Sequence, residues 1–94
     1  DSGVGGAVAA AVGTRRARLG EQTQDLVITQ SRQLAGKGNQ HIKIAKHASD
    51  DSVISDTFVL DDAARIEEVA RMLSGDEITT EARAAAMNLL EPAR

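Results

Sequence analysis

Apolar residues in this 94-residue chain change their spacing four times. Val4, Ala7, Val8, Ala11 and Val12 recur at i, i+3, i+4, i+7 and i+8, which is one face of a helix. Leu19 lies on or near the same stripe, and Gly20 is a C-terminal stop signal. Ala9, Ala10 and Gly13 are small enough to let this helix approach a neighbour closely, and Gly13 costs helix propensity unless packing uses it. Leu26, Val27 and Ile28 then form a continuous apolar run, the pattern of a strand covered on both faces. One helical turn follows around Gln33–Ala35, with Ser31 as its cap and Gly36 and Gly38 as breakers.

The second half is more regular. In HIKIAK, Ile42 and Ile44 point one way, and His41, Lys43 and Ala45 the other. HASDDS is a turn cluster, and SVISDTFVL alternates again with Ile54, Phe58 and Leu60 on one side. Two alternating segments joined by a polar turn predict an antiparallel hairpin. DDAARIEEVARMLSG predicts a helix capped by Asp61 or Asp62, with Ile66, Val69, Ala70 and Leu73 buried and Gly75 ending it. A last helix runs from Thr79 or Thr80 to Leu90, burying Ala82, Ala86, Leu89 and Leu90, with Pro92 stopping it.

The expected order is loop, helix, strand, short turn, strand, strand, helix, helix: an α/β chain. A lone strand after the first helix needs a parallel strand beside it. That strand would lie upstream of Asp1, so the pattern reads as part of a larger α/β domain. No internal repeat or low-complexity linker divides residues 1–94.

Composition narrows the function classes. Phe58 is the only aromatic residue, so no platform of exposed rings can stack single-stranded bases. The net charge of −3 argues against a domain built wholly around a basic surface. Without cysteine there is neither a disulfide nor a thiolate zinc site. No apolar run approaches the ~20 residues of a membrane helix.

Chemistry-bearing residues are sparse. Asp1, Ser2, Gly3, Gly5 and Gly6 form a glycine-rich approach to the first helix, readable as a capping loop or as a phosphate or partner contact. Arg15, Arg16 and Arg18 near that helix's end read as a solvated face complementing its dipole, with a phosphate or DNA contact as the alternative. His41 and His47 share a strand face, but some ~20 Å of extended chain separates them and no third metal ligand suggests itself. Glu67 and Glu68 diverge by about 100° around their helix and make a poor acid/base pair. Met72 and Met87 read as core gap-fillers. No G-x-x-x-x-G-K-[ST] cradle is present, and GKGNQ at Gly36–Gln40 has the wrong spacing for one.

Taken in order, DSGVGGAVAAAVG, LGEQTQDLVITQSRQLAGKGNQHIKIAK, DDAARIEEVARMLSGDEIT and the terminal AMNLL helix resemble the C-terminal end of the RecN family. Those are bacterial double-strand-break repair proteins related to the SMC and ABC-type ATPases. The resemblance covers essentially the whole chain and is most specific at DSGVGG and ARIEEVARMLSG. It implies a partial ABC-type, P-loop-like ATPase head. Residues 1–94 would then be its C-terminal segment, with the Walker A loop, the metal-orienting Asp and the catalytic Glu upstream.

In that pattern Asp1 ends the Walker B element, and Ser2–Gly6 form the D-loop at a nucleotide-sandwiched dimer interface. Gln30 in T-Q-S-R-Q-L-A occupies the position of a switch His in T-H-x-x-Q-[VL]-A. A Gln can hydrogen-bond a γ-phosphate but cannot act as acid or base, which puts hydrolysis in doubt. By the same resemblance the complete protein binds ATP and Mg²⁺, pairs two heads, acts on DNA indirectly and works in the bacterial cytoplasm at the nucleoid. The isolated chain is expected to bind no cofactor and to have no ATPase activity. The second reading is a truncated, autonomous α/β interaction module that self-associates, with the open edge of the LVIT strand as its template.

Overall fold

The computed structural model describes residues 5–91. They form α1 (Gly6–Gly20), α2 (Arg32–Ala35), β1 (His41–Ser49), β2 (Ser52–Leu60), α3 (Asp62–Ser74) and α4 (Thr80–Leu90). Neighbours in sequence are neighbours in space: α1 packs on α2, β1 pairs with β2, and α3 packs on α4.

The helix ends follow local chemistry. Ser31 Oγ accepts from Leu34 N, Asp61 Oδ1 accepts from Ala64 N at 2.8 Å, and Thr79 Oγ1 accepts from Ala82 N at 3.0 Å. Each satisfies a first-turn N–H that has no intrahelical partner. Gly75 closes α3 at φ 83°, a conformation that side-chain-bearing residues rarely adopt.

The core lies between α3 and α4. Val69, Ala70, Ala82 and Ala86 are buried there, with Ile66, Leu73, Ile78, Leu89 and Leu90 packed around them. These are the stripes that the helical spacing predicts.

The hairpin is antiparallel, as expected, with Asp50 and Asp51 in a two-residue turn. Asp50 takes φ 38°, within the left-handed region that Asp tolerates better than most residues. The register sets His41, Lys43, Ala45 and His47 opposite Leu60, Phe58, Asp56 and Ile54. Alternation therefore puts Phe58, Leu60 and Ile54 on the face that carries Lys43. The other face carries Ile42, Ile44, Val53 and Val59, all exposed.

Two expectations are corrected. Leu26, Val27 and Ile28 form no strand, and the only sheet among the described residues is the hairpin. Leu26 and Ile28 are 77% and 84% exposed. A strand exists only through a partner's hydrogen bonds, and no described segment pairs with this one. Met87, expected as a core gap-filler, is 53% exposed. On α1 the apolar stripe of Val8, Val12 and Leu19 is exposed, while Ala9 and Gly13, expected to allow a close approach, are buried. Close approach to α2 favours the small-residue face over the bulkier one. Val4 and Pro92 lie outside the described residues.

Candidate functional site

Of the glycine-rich approach, Asp1, Ser2 and Gly3 lie outside the described residues. Gly5 is the N-cap of α1, in extended conformation (φ −71°, ψ 163°), and its carbonyl accepts from Ala9 N at 2.8 Å. Having no side chain, Gly5 itself supplies no cap to the N–H groups of the first turn, which carry partial positive charge.

The start of α1 lies against α2. A Cβ placed on Gly6 would come 3.2 Å from Gln33 Nε2. Gln33 Oε1 in turn accepts from Ser31 Oγ at 3.3 Å. Gln30, exposed, immediately precedes Ser31. The fold thus brings the Gly5–Gly6 approach and the Gln30 segment together, through Gln33 and Ser31, from positions some 25 residues apart in the sequence.

The arginines divide. Arg16 Nη1 donates to both carboxylate oxygens of Asp25, at 3.1 and 3.2 Å. Arg15 and Arg18 are exposed, Arg18 in the last turn of α1, where a cation complements the helix dipole. They sit toward the opposite end of α1 from Gly5 and Gly6 and do not converge with Gln30 on one site.

The histidines also separate. His47 Nδ1 lies 3.5 Å from Asp56 Oδ2 on the exposed end of the hairpin. His41 is half-buried, with its Nδ1 buried and without a hydrogen-bond partner. Burial, then the nearby Arg65 charge, pushes the His41 pKa below its ordinary value; Glu68 pulls the other way and Lys43 adds to the lowering. Among the described residues no group of acidic residues and histidines is arranged to hold a metal ion.

Sequence reading missed the most connected charged group. Glu68 is buried on α3 and accepts from Arg71 Nε at 3.0 Å and Arg71 Nη2 at 2.6 Å, with Lys43 Nζ 2.9 Å from Oε2. Burial pushes its pKa up, but the hydrogen bonds from Arg71 and Lys43 prevail and hold the carboxyl below its ordinary value. The i, i+3 spacing of Glu68 and Arg71 was the available signal; nothing local pointed to Lys43.

No protein-family model matches the chain. Over most or all of its own length it is homologous to bacterial DNA repair proteins. Those relatives are RecN: the protein of Xylella fastidiosa strain Temecula1 is 46% identical over 91 residues, 97% of this chain. The Deinococcus radiodurans protein is 42% identical over 81% of the chain, and the Streptomyces coelicolor protein 38% identical over 100% of it. Each match takes up 14% to 16% of the relative, so the chain spans about one-sixth of the length of the relatives it matches. The resemblance to the C-terminal part of RecN is borne out. No helix among the described residues is long and apolar enough to cross a membrane.

Proposed function

We propose that this chain is the C-terminal segment of a RecN-like, ABC-type ATPase head that serves DNA double-strand-break repair in the bacterial cytoplasm, at the nucleoid. The observation that carries the reading is the homology to RecN, joined to the meeting of Gly6 with α2 next to Gln30. The uncovered faces of α1 and the hairpin suit a piece whose remaining neighbours belong to a longer polypeptide.

In this reading the uncapped N-terminus of α1 faces negative charge across a dimer interface, and the Gln30 amide donates to a γ-phosphate. Gln30 senses nucleotide by hydrogen bonding and moves no proton. The phosphate cradle is not in this chain, because no Walker A spacing is present. ATP and Mg²⁺ are therefore held chiefly by residues upstream. Nucleotide binding measured by calorimetry tests this. A RecN-length protein carrying this segment should bind Mg·ATP, and the 94-residue chain alone should not. A full-length protein indifferent to ATP would sink the reading.

A second reading, the self-associating module, is favoured by one observation. Ile42, Ile44, Val53 and Val59 form an exposed apolar hairpin face. The LVIT edge no longer supports it, since that segment forms no strand. Light scattering across a dilution series separates the two: a dimer stable to dilution favours the module, and a monomer or open-ended aggregate favours the segment.

A further inference from the structure

Arg65 stands on α3, yet its guanidinium serves another element. Its Nη2 donates to the carbonyl of Ala35 at 3.0 Å and also to the carbonyl of Gly38. Ala35 is the last residue of α2, so the first bond caps that helix's C-terminal end, and the second fixes the loop that leaves it. The guanidinium is half-buried, and its Nε is buried without a partner. Burying an arginine to hold two carbonyls is costly, which marks the grip as more than surface decoration.

A helix of one turn has no stability of its own, so α2 stands where its neighbours put it. Three contacts do so. Leu34 and Lys37 meet α1 at Gly13, Gly36 lies against Leu89 of α4, and Arg65 holds the carbonyl end from α3. Arg65 does this by directed hydrogen bonds. At the other end of the same turn stand Ser31, which caps it, and Gln33, which touches Gly6. Gln30 is the next residue out. Ser31 Oγ is tied to Leu34 N, so a shift of α2 along its axis carries Ser31, and with it the adjoining Gln30.

We propose that Arg65 is a positioning residue for Gln30: by gripping the Ala35 and Gly38 carbonyls it sets the Gln30 amide relative to the start of α1. The proposal rests on the nucleotide reading of Gln30 above. It makes Arg65 a determinant of ATP-over-ADP discrimination, although it stands at the far end of α2 from Gln30. It also ties the nucleotide-sensing segment mechanically to the α3–α4 pair.

The test uses a RecN-length protein and measures Kd for ATP and for ADP in wild type, Arg65→Gln, Arg65→Lys, Gln30→Ala and the Gln30→Ala/Arg65→Gln double variant. Arg65→Gln should lower the ATP preference about tenfold, the worth of one hydrogen bond to a charged group. ADP affinity should stay within about twofold, which general structural damage would not spare. Arg65→Lys should recover part of the preference, and Arg65→Gln should add nothing once Gln30 is gone. Hydrogen exchange should rise at residues 31–38 in Arg65→Gln. An unchanged ATP preference in Arg65→Gln, or independent effects in the double variant, would overturn the positioning role alone. A wild type with no preference for ATP would overturn the nucleotide reading and the proposal together, while exchange at residues 31–38 would still report on the grip.

Discussion

Lys43 reaches from β1 to Glu68 on α3, its Nζ 2.9 Å from Glu68 Oε2. Arg71 closes on the same carboxylate from within α3. The hairpin makes few other contacts with α3, so this charge cluster is its main directed tie to the helical pair. Glu68→Ala should destabilise the chain by about 1–2 kcal/mol, the loss of buried charge-assisted bonds discounted because Lys43 and Arg71 are partly in water. Thermal denaturation reads this directly.

The same carboxylate predicts an acid sensitivity. Its pKa is lowered on folding, so the unfolded chain binds the proton more tightly. The stabilisation is complete above the ordinary carboxylate value and is lost as pH falls through the lower, folded value. Melting temperatures from pH 7 to 3 should fall less steeply in Glu68→Gln than in wild type. Parallel curves would show that Glu68 does not titrate in this way.

His41 gives a second window at milder pH. Burial and Arg65 lower its pKa, so the folded state favours the neutral ring. Stability is fully present above the ordinary value of 6.5 and declines as pH falls below it toward the folded value. The groups facing His41 are Arg65 and Glu68 on α3 and Lys43 on its own strand. An NMR titration should put its midpoint below the ordinary value of 6.5. Replacing His41 by Phe should flatten the stability profile between pH 7 and 5.

The buried Val69 provides a core reference. It is fully enclosed between α3 and α4. Val69→Ala removes two methyl groups' worth of packing and should cost about 2 kcal/mol. A loss near zero, read by denaturant titration, would mean that the two helices do not close as described.

Gly13 tests the seat of α2. A Cβ there would come 2.8 Å from Lys37 Cγ and 3.2 Å from Leu34 Cδ1. Alanine gains about 1 kcal/mol of helix propensity, but Lys37 Cβ, 2.9 Å away and next to its backbone, must also give way, so the two effects oppose each other. Valine adds bulk without that compensation and should destabilise by about 1–3 kcal/mol. Comparing the melting of Gly13→Ala and Gly13→Val separates propensity from packing.

The elements legible in the sequence were those fixed by short-range rules. Asp61, Thr79 and Ser31 cap the helices that their positions predict, and the alternation in β1 and β2 gives the hairpin. What failed depended on partners. The run Leu26–Ile28 has strand composition, but composition cannot supply a neighbouring ladder. On α1 the small residues Ala9 and Gly13 meet α2 as their size suggests, while which way the larger stripe of Val8 and Val12 faces depends on neighbours the sequence does not name. At the candidate site, the resemblance singles out Gln30, Gly5 and Gly6, and the fold brings Gly6 against α2 beside the Gln30 segment. Arg65 was not, because its grip joins carbonyls about thirty residues away, and backbone acceptors leave no mark in a sequence.

The adjacent pairing of elements has a dynamic consequence. β1 with β2 and α3 with α4 close over short loops, and α1 with α2 over residues 21–31, so contacts stay local in sequence and each pair can form quickly. What joins the pairs is thin: Lys43 to Glu68, Arg65 to two carbonyls, and Gly36 against Leu89. Cooperative units joined this way open separately. Hydrogen exchange should resolve three foldons, with the α3–α4 pair the slowest and the α1–α2 pair released whenever Arg65 lets go.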